Sequence, residues 1–404
     1  DDMVALYDAA TADFTGLGSE ALSVTGEAAA TDLIALLSDT DQNISVAGVT
    51  KITGTAANLN SVVGNARFES WTTLEPTLEI SGSTESADTI ATLVTSVTAK
   101  YVDTVAKIDA TGVDTFTGEA SSVLTTLTSA VVNEAANPNV TLSDTTIDAA
   151  TLILVRAETS GTVDVSNAST VSGEAADVNT VLAVAYVTGL GTEAVTLTDH
   201  AAVAATTLTS IAGRTTGTIN AASVATLTGT ADAVNAAYAE GRISGLGNEA
   251  VTLDDTIIDA AKLASTNGYT TGIVDVTTAT VILGSAANIA AAYDAYDANP
   301  QQISGLGASD VATVNITGDT AAAADLINIE NSVTDGAVDI QASGITTITG
   351  STENVITVLQ DADFDDFGNE AVTINDETLG ADRLNVLDGE TDGVVNAAAV
   401  TTLT

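Results

Sequence analysis

Thr216-Gly217-Thr218-Ile219-Asn220-Ala221, then Val224-Ala225-Thr226-Leu227-Thr228-Gly229, then Thr230-Ala231-Asp232-Ala233-Val234-Asn235-Ala236-Ala237-Tyr238: the fold is decided by how these three segments are read. The first two are short runs of Thr, Val, Ile and Leu bounded by Gly, which is the pattern of brief β-strands. The third is Ala-rich and opens after a Gly-Thr punctuation, where a hydroxyl can take up the free N–H groups of a first helical turn. One unit is therefore β-β-α.

The unit recurs. Gly161-Thr162-Val163-Asp164, Gly217-Thr218-Ile219-Asn220, Gly272-Ile273-Val274-Asp275, Gly336-Ala337-Val338-Asp339 and Gly393-Val394-Val395-Asn396 are copies of one phrase. Their steps are 217 − 161 = 56, 272 − 217 = 55, 336 − 272 = 64 and 393 − 336 = 57. A second phrase alternates with it, at Gly189-Leu190-Gly191-Thr192-Glu193-Ala194-Val195-Thr196-Leu197 and Gly245-Leu246-Gly247-Asn248-Glu249-Ala250-Val251-Thr252-Leu253. Shorter copies stand at Gly16-Leu17-Gly18-Ser19-Glu20-Ala21, Gly305-Leu306-Gly307 and Phe367-Gly368-Asn369-Glu370-Ala371. Each period holds two coils, and the chain reads as roughly fourteen coils of about 29 residues, a solenoid period.

Helix starts share a second signature. Thr55, Glu174, Thr230 and Ser285 follow a Gly and precede Ala, while the alternate coils are expected to cap their helices with Asp144, Asp199, Asp255 and Asp376. Residues 60–135 and 296–335 carry the most divergent copies, and Pro76, Pro138 and Pro300 fall in or beside them. The segment from Asp1 to Ala10 reads as the later part of a repeat helix, and that from Gly393 to Thr404 as two β segments without their helix. The expectation is one continuous solenoid over 1–404, open at both ends.

Composition narrows the function. Aromatic residues make up 3% of the chain, so the core is built from small and β-branched side chains that suit thin layers. Nine Lys and Arg stand against 54 Asp and Glu, a net charge of −45 that disfavours nucleic acid and anionic membrane surfaces. At 45% hydrophobic residues the chain is nonetheless expected to fold. The longest apolar run, Val181–Val187, is far short of the roughly 20 residues that span a bilayer. His200 is the sole His and there is no Cys, which removes most nucleophile and acid–base constellations; no enzymatic activity is expected.

Two sets of carboxylates invite a cation. Asp361, Asp363, Asp365 and Asp366 form the densest acidic cluster and are the candidate calcium ligands, although the spacing lacks the glycine and terminal acid of an EF-hand. Asp109, Asp164, Asn220, Asp275, Asp339 and Asn396 recur once per period, and the alternation of Asn with Asp favours turn residues that cap their own backbone. Asn43, Asn139, Asn167 and Asn315 fit the glycosylation sequon. Thr-rich segments such as Thr346-Thr347-Ile348-Thr349 offer a hydroxyl ladder for ice or glycans, or are simply good strand formers.

On the Gly-Leu-Gly-Asn-Glu-Ala-Val-Thr-Leu phrase (245–253) and the Gly-Thr-Ala-Asp-Ala-Val-Asn phrase (229–235), the chain resembles the giant acidic repeat proteins of bacterial cell surfaces, in marine bacteria and cyanobacteria. That resemblance implies an extracellular scaffold, a surface-layer, adhesin or matrix-fibre component, and no particular ligand. Self-association, head to tail through the open ends or with other copies of the array, is expected, and a binding module whose repeated face recognises surface glycans, ice or another cell is the alternative. The architecture expected is an α/β solenoid whose coils add rungs, roughly 4.8 Å apart, to one or two parallel ladders with helices on one side. An all-β right-handed solenoid is the alternative.

Overall fold

The computed structural model describes residues 3–7, 17–71, 75–101, 107–307, 310–333, 338–364 and 367–404. These gather into two compact units, Asp1–Thr196 with Arg214–Thr218, and Leu197–Gly213 with Ile219–Thr404. Each is an α/β solenoid of parallel strands with helices alongside, so the all-β alternative does not hold. Asp365 and Asp366 lie outside the described residues.

In the first unit the helices Ala30–Asp39, Ala56–Gly64, Ala87–Lys100, Ala120–Leu127, Ala149–Glu158 and Ala175–Ala183 each pack on the next. Beside them run parallel sheets, two of which lie wholly within the unit. One takes Leu22–Ala29, Ile44–Gly54, Thr77–Ile80, Ile108–Ala110 and Val132–Glu134 in that order; the other takes Thr84–Ser86, Thr115–Gly118, Asn139–Leu142, Val163–Asp164 and Val187–Thr188. In the second unit the helices Ala205–Ala212, Ala231–Ala239, Ala260–Tyr269, Ala286–Asp297, Ala323–Ser332, Thr352–Leu359 and Ala381–Glu390 stack in the same way.

Why the helices begin with Ala is visible at the coil junctions. The first helical residue of one coil faces the Gly that ends a strand of the next. A Cβ built on Gly54 would meet the Cβ of Ala30 at 2.8 Å, on Gly173 that of Ala149 at 3.0 Å, and on Gly284 that of Ala260 at 3.1 Å. Only a Gly facing an Ala lets the coils approach this closely. From that Ala the buried face continues at intervals of three, as in Ala231, Val234 and Ala237, or Ala323, Leu326 and Ile329. The inward side chain of each facing strand, such as Leu227, Ile282 or Ile348, is fully buried. The thin core of small side chains anticipated from the shortage of aromatics is what the coils contain.

Two expectations are corrected. The first concerns the ladders. In the second unit Ala202 pairs with Thr226 and Thr226 with Ala250, a step of 226 − 202 = 24 residues, which is shorter than half the two-coil period. Over these rungs the hydrogen-bonded neighbour slips along the coil, whereas the last rung of the same sheet, Val274 against Ile303, steps 303 − 274 = 29. The sheet that starts at Ala202–Ala204 ends at Ile303–Ser304, and a further step of 24 from Ile303 would fall at 327, inside the helix Ala323–Ser332. A fresh sheet, Ile257–Asp259, Val281–Gly284, Thr313–Ile316 and Asp339–Gln341, has begun meanwhile. The ladders are several short, overlapping sheets.

The second correction concerns helix caps. Alternate coils carry a third short strand directly before the helix, such as Thr146–Asp148 or Ile257–Asp259. That strand moves the helix start beyond Asp144, Asp255 and Asp376, and the caps of the coils' own helices fall to Asp148, Asp259 and Gly380. Asp144, Asp255 and Asp376 cap the helix of the preceding coil instead, accepting the N–H of Ala120 (2.8 Å), Ala231 (2.7 Å) and Thr352 (2.7 Å). Thr55, Thr230 and Ser285 do cap their own helices, accepting from Asn58, Ala233 and Asn288.

Candidate functional site

The most elaborate polar constellation is repeated rather than single. At the Gly-x-Glu corner of alternate coils the glutamate folds back on its own loop. Glu249 accepts the N–H of Gly247 (2.7 Å) and of Asn248 (3.1 Å) on one oxygen, and the Tyr238 hydroxyl donates to the other. Glu193 accepts from Gly191 (2.6 Å) and Thr192 (3.1 Å), and Glu370 from Gly368 (2.6 Å) and Asn369 (3.0 Å). All three side chains are buried, as charge in such a place requires full satisfaction. Glu20 repeats the pattern with Gly18 (2.7 Å) and Tyr7 (2.9 Å), and the Gly18 N–H heads the hydrogen bonds that hold its carboxyl below the ordinary range. Burial, with the hydrogen bond to Glu249, pushes the Tyr238 phenol upward.

A threonine one coil later completes the clasp. Thr215 donates to the backbone carbonyl of Glu193, Thr270 to that of Glu249 and Thr391 to that of Glu370, each at 2.7 Å, and Thr40 donates to that of Glu20 at 2.9 Å. The same hydroxyl oxygens accept the N–H of Gly217 (3.0 Å), Gly272 (2.9 Å) and Gly393 (2.9 Å). In the divergent copy Pro138 replaces the glutamate, and Thr159 still donates to its carbonyl (2.6 Å). These threonines were not singled out from the sequence. Their signal was present as Thr-x-Gly at Thr159, Thr215, Thr270 and Thr391, two residues ahead of a repeated Gly.

The once-per-period Asp and Asn residues close turns. Asp109, Asp164, Asn220, Asp275 and Asn396 each accept the N–H two residues on, at 3.0–3.1 Å. The acidic cluster is placed only in part: Asp361 accepts the N–H of Asp363 (3.0 Å) at the short 3-10 turn Ala362–Phe364. Among the described residues no group of three or more His, Cys, Asp or Glu is arranged to hold a metal ion. His200 stands exposed in a loop before Ala202.

The divergent stretch of the first unit gathers rare side chains. Phe68, the single Trp71 and Tyr101 pack ring to ring at 6.5 and 6.3 Å, with the Lys100 ammonium 4.9 Å from the Trp71 ring centroid. Arg67 ties this coil to the previous one by donating to the carbonyls of Leu37 (2.6 Å) and Gln42 (2.8 Å). Lys107 pairs with Glu75 at 3.0 Å. All three aromatic residues are buried.

No known protein-family model matches this chain, and no curated protein matches it. Among the described residues no helix is long and apolar enough to cross a membrane.

Proposed function

We propose that the chain is an extracellular or cell-surface structural protein, a stiff repeat scaffold of the fibre, filament or surface-layer type that it resembles. One observation carries the reading: the clasp recurs at Glu20, Glu193, Glu249 and Glu370, each carboxylate taken up by N–H groups of its own loop and each backbone carbonyl by a threonine hydroxyl of the next coil, with a tyrosine hydroxyl added at Glu20 and Glu249. What the repeat conserves in itself is therefore coil closure and coil stacking. A reactive group would have to be left available; these are spent on the backbone.

The charge supports the same reading. With 54 acidic side chains and nine basic ones, coils of different molecules repel laterally at low salt, and divalent cations such as calcium bridge them when present. Association then runs head to tail between like coils, with surface glycans as the other class of partner. Electron microscopy of the purified chain over a concentration series, with calcium and with chelator, tests this. Fibres or ordered arrays are expected; dispersed single particles under every condition would overturn it.

A further inference from the structure

In the second unit, the coil that contains the helix Thr352–Leu359 and its two neighbours form an open surface groove of about 350 Å³ whose lining carries no charge. Its polar side chains are Thr349, Ser351, Asn354, Thr373 and Asn375. In a chain with a net charge of −45, a concavity formed by hydroxyls and carboxamides alone stands apart. We propose that it is a binding site for a neutral oligosaccharide, an assignment that goes beyond the scaffold reading and does not depend on it.

The chemistry follows from what the neighbours have already used. The Asp376 carboxylate, next in sequence to Asn375, is engaged in accepting both the N–H and the hydroxyl of Thr352, at 2.7 Å each. Ser351 accepts the N–H of Asn354 (3.3 Å), which leaves its O–H to donate, and Thr349 donates to the Ala321 carbonyl (3.4 Å), which leaves its lone pairs to accept. The carboxamides of Asn354 and Asn375 each offer two donors and an acceptor oxygen. Groups that donate and accept side by side match sugar hydroxyls, which do the same. An ion would find no countercharge here, and an apolar ligand would find only Ala and Gly to bury against.

The floor extends the site in one direction. Ala322, Thr349, Thr373 and Asn396 lie on successive rungs of one parallel ladder, Ala322 against Thr349, Thr349 against Thr373, Thr373 against Asn396. On the three later rungs, about 4.8 Å apart, Thr349, Thr373 and Asn396 set a file of hydrogen-bonding side chains for a ligand that itself repeats. The volume sits within the usual range for small-ligand sites of roughly 300–1,000 Å³.

The test is a calorimetric and ligand-observed NMR titration of the full chain with cellobiose, with digalacturonate as the anionic comparator. Cellobiose is expected to bind with a dissociation constant on the order of millimolar, the comparator not at all. Thr373→Val and Asn375→Ala, checked for an unchanged circular dichroism spectrum, should each weaken cellobiose by about fivefold, the worth of one net hydrogen bond. Absence of cellobiose binding, or binding that both substitutions leave untouched, overturns the assignment.

Discussion

Gly272 lies so close to Glu249 that a Cβ at position 272 would stand 2.2 Å from the Glu249 carbonyl oxygen. The same approach recurs between Gly217 and Glu193 (2.1 Å) and between Gly393 and Glu370 (2.0 Å). The blocking atom is backbone on a buried corner, so no side chain can swing aside. Gly272→Ala should therefore cost about 3 kcal/mol in urea unfolding, at the upper end of single-substitution effects. Gly241, around which nothing lies within 4 Å, is the control: Gly241→Ala should change stability by less than about 1 kcal/mol.

The threonine of the clasp gives a second expectation. Thr270→Val keeps the β-branched shape but removes both the donor to the Glu249 carbonyl and the acceptor for the Gly272 N–H. Because the Glu249 carbonyl is left buried and the Gly272 N–H half-buried without a partner, the loss should be about 2 kcal/mol by denaturant titration. Thr271→Val, one residue away, removes only a long, exposed hydrogen bond to the Gly247 carbonyl (3.3 Å) and serves as the reference, with a loss of less than about 1 kcal/mol.

Asp376→Ala removes a cap that belongs to another coil. The helix Thr352–Leu359 keeps its own Ser351 cap, so the helix should survive while the junction loosens by about 1 kcal/mol. Amide hydrogen exchange should quicken at Thr352, which donates to Asp376, and leave Asn354, which donates to Ser351, protected.

One carboxyl makes folding sensitive to pH near neutrality. Burial, aided by the negative charge of Glu158, pushes Glu134 up to about 7, and one of its oxygens is buried with no hydrogen-bond partner. A carboxyl with a raised folded-state value holds its proton longer in the folded chain than in the unfolded one. Stability then falls as pH rises from the ordinary carboxyl range, about 4.3, to about 7, and levels off above. Glu134 is only partly buried, which limits the effect to about 1 kcal/mol. Glu134→Gln should flatten this dependence when thermal unfolding is followed from pH 4 to 8.

Much of this architecture is written in local phrases. The Thr230 and Ser285 helix starts, the Asx turns at Asp164 and Asn220, and the Gly-Leu-Gly corners depend on neighbours within a few residues, and their spacing exposes them. Gly245 and Gly247, for example, hold φ of 87° and 127°, where other residues are strained. What stayed hidden acts between coils. Asp255 capping Ala231, or Thr270 reaching the Glu249 carbonyl, joins residues more than 20 positions apart, and nothing in either phrase names the other. The 24-residue step of the ladders, shorter than a coil, is likewise a property of stacking, set by how strands and helices of unequal spacing share one coil. The candidate sugar site was legible only as a Thr-rich run near 346–349; its carboxamide wall comes from Asn354 and Asn375, which the fold brings to it.

That slip also governs how the molecule meets its own kind. A sheet whose rungs stayed in step would present one long flank of unpaired amides, the template from which strands of other molecules add without limit. Here the outer strands of the sheet from Ala202 to Ser304 are three and two residues long, Ala202–Ala204 and Ile303–Ser304. Such stubs give an incoming strand too little purchase, which is how natural sheets guard against sticking to one another. In a chain rich in Val, Ile, Ala and Thr, the short outer strands of this sheet stand against edge-to-edge addition.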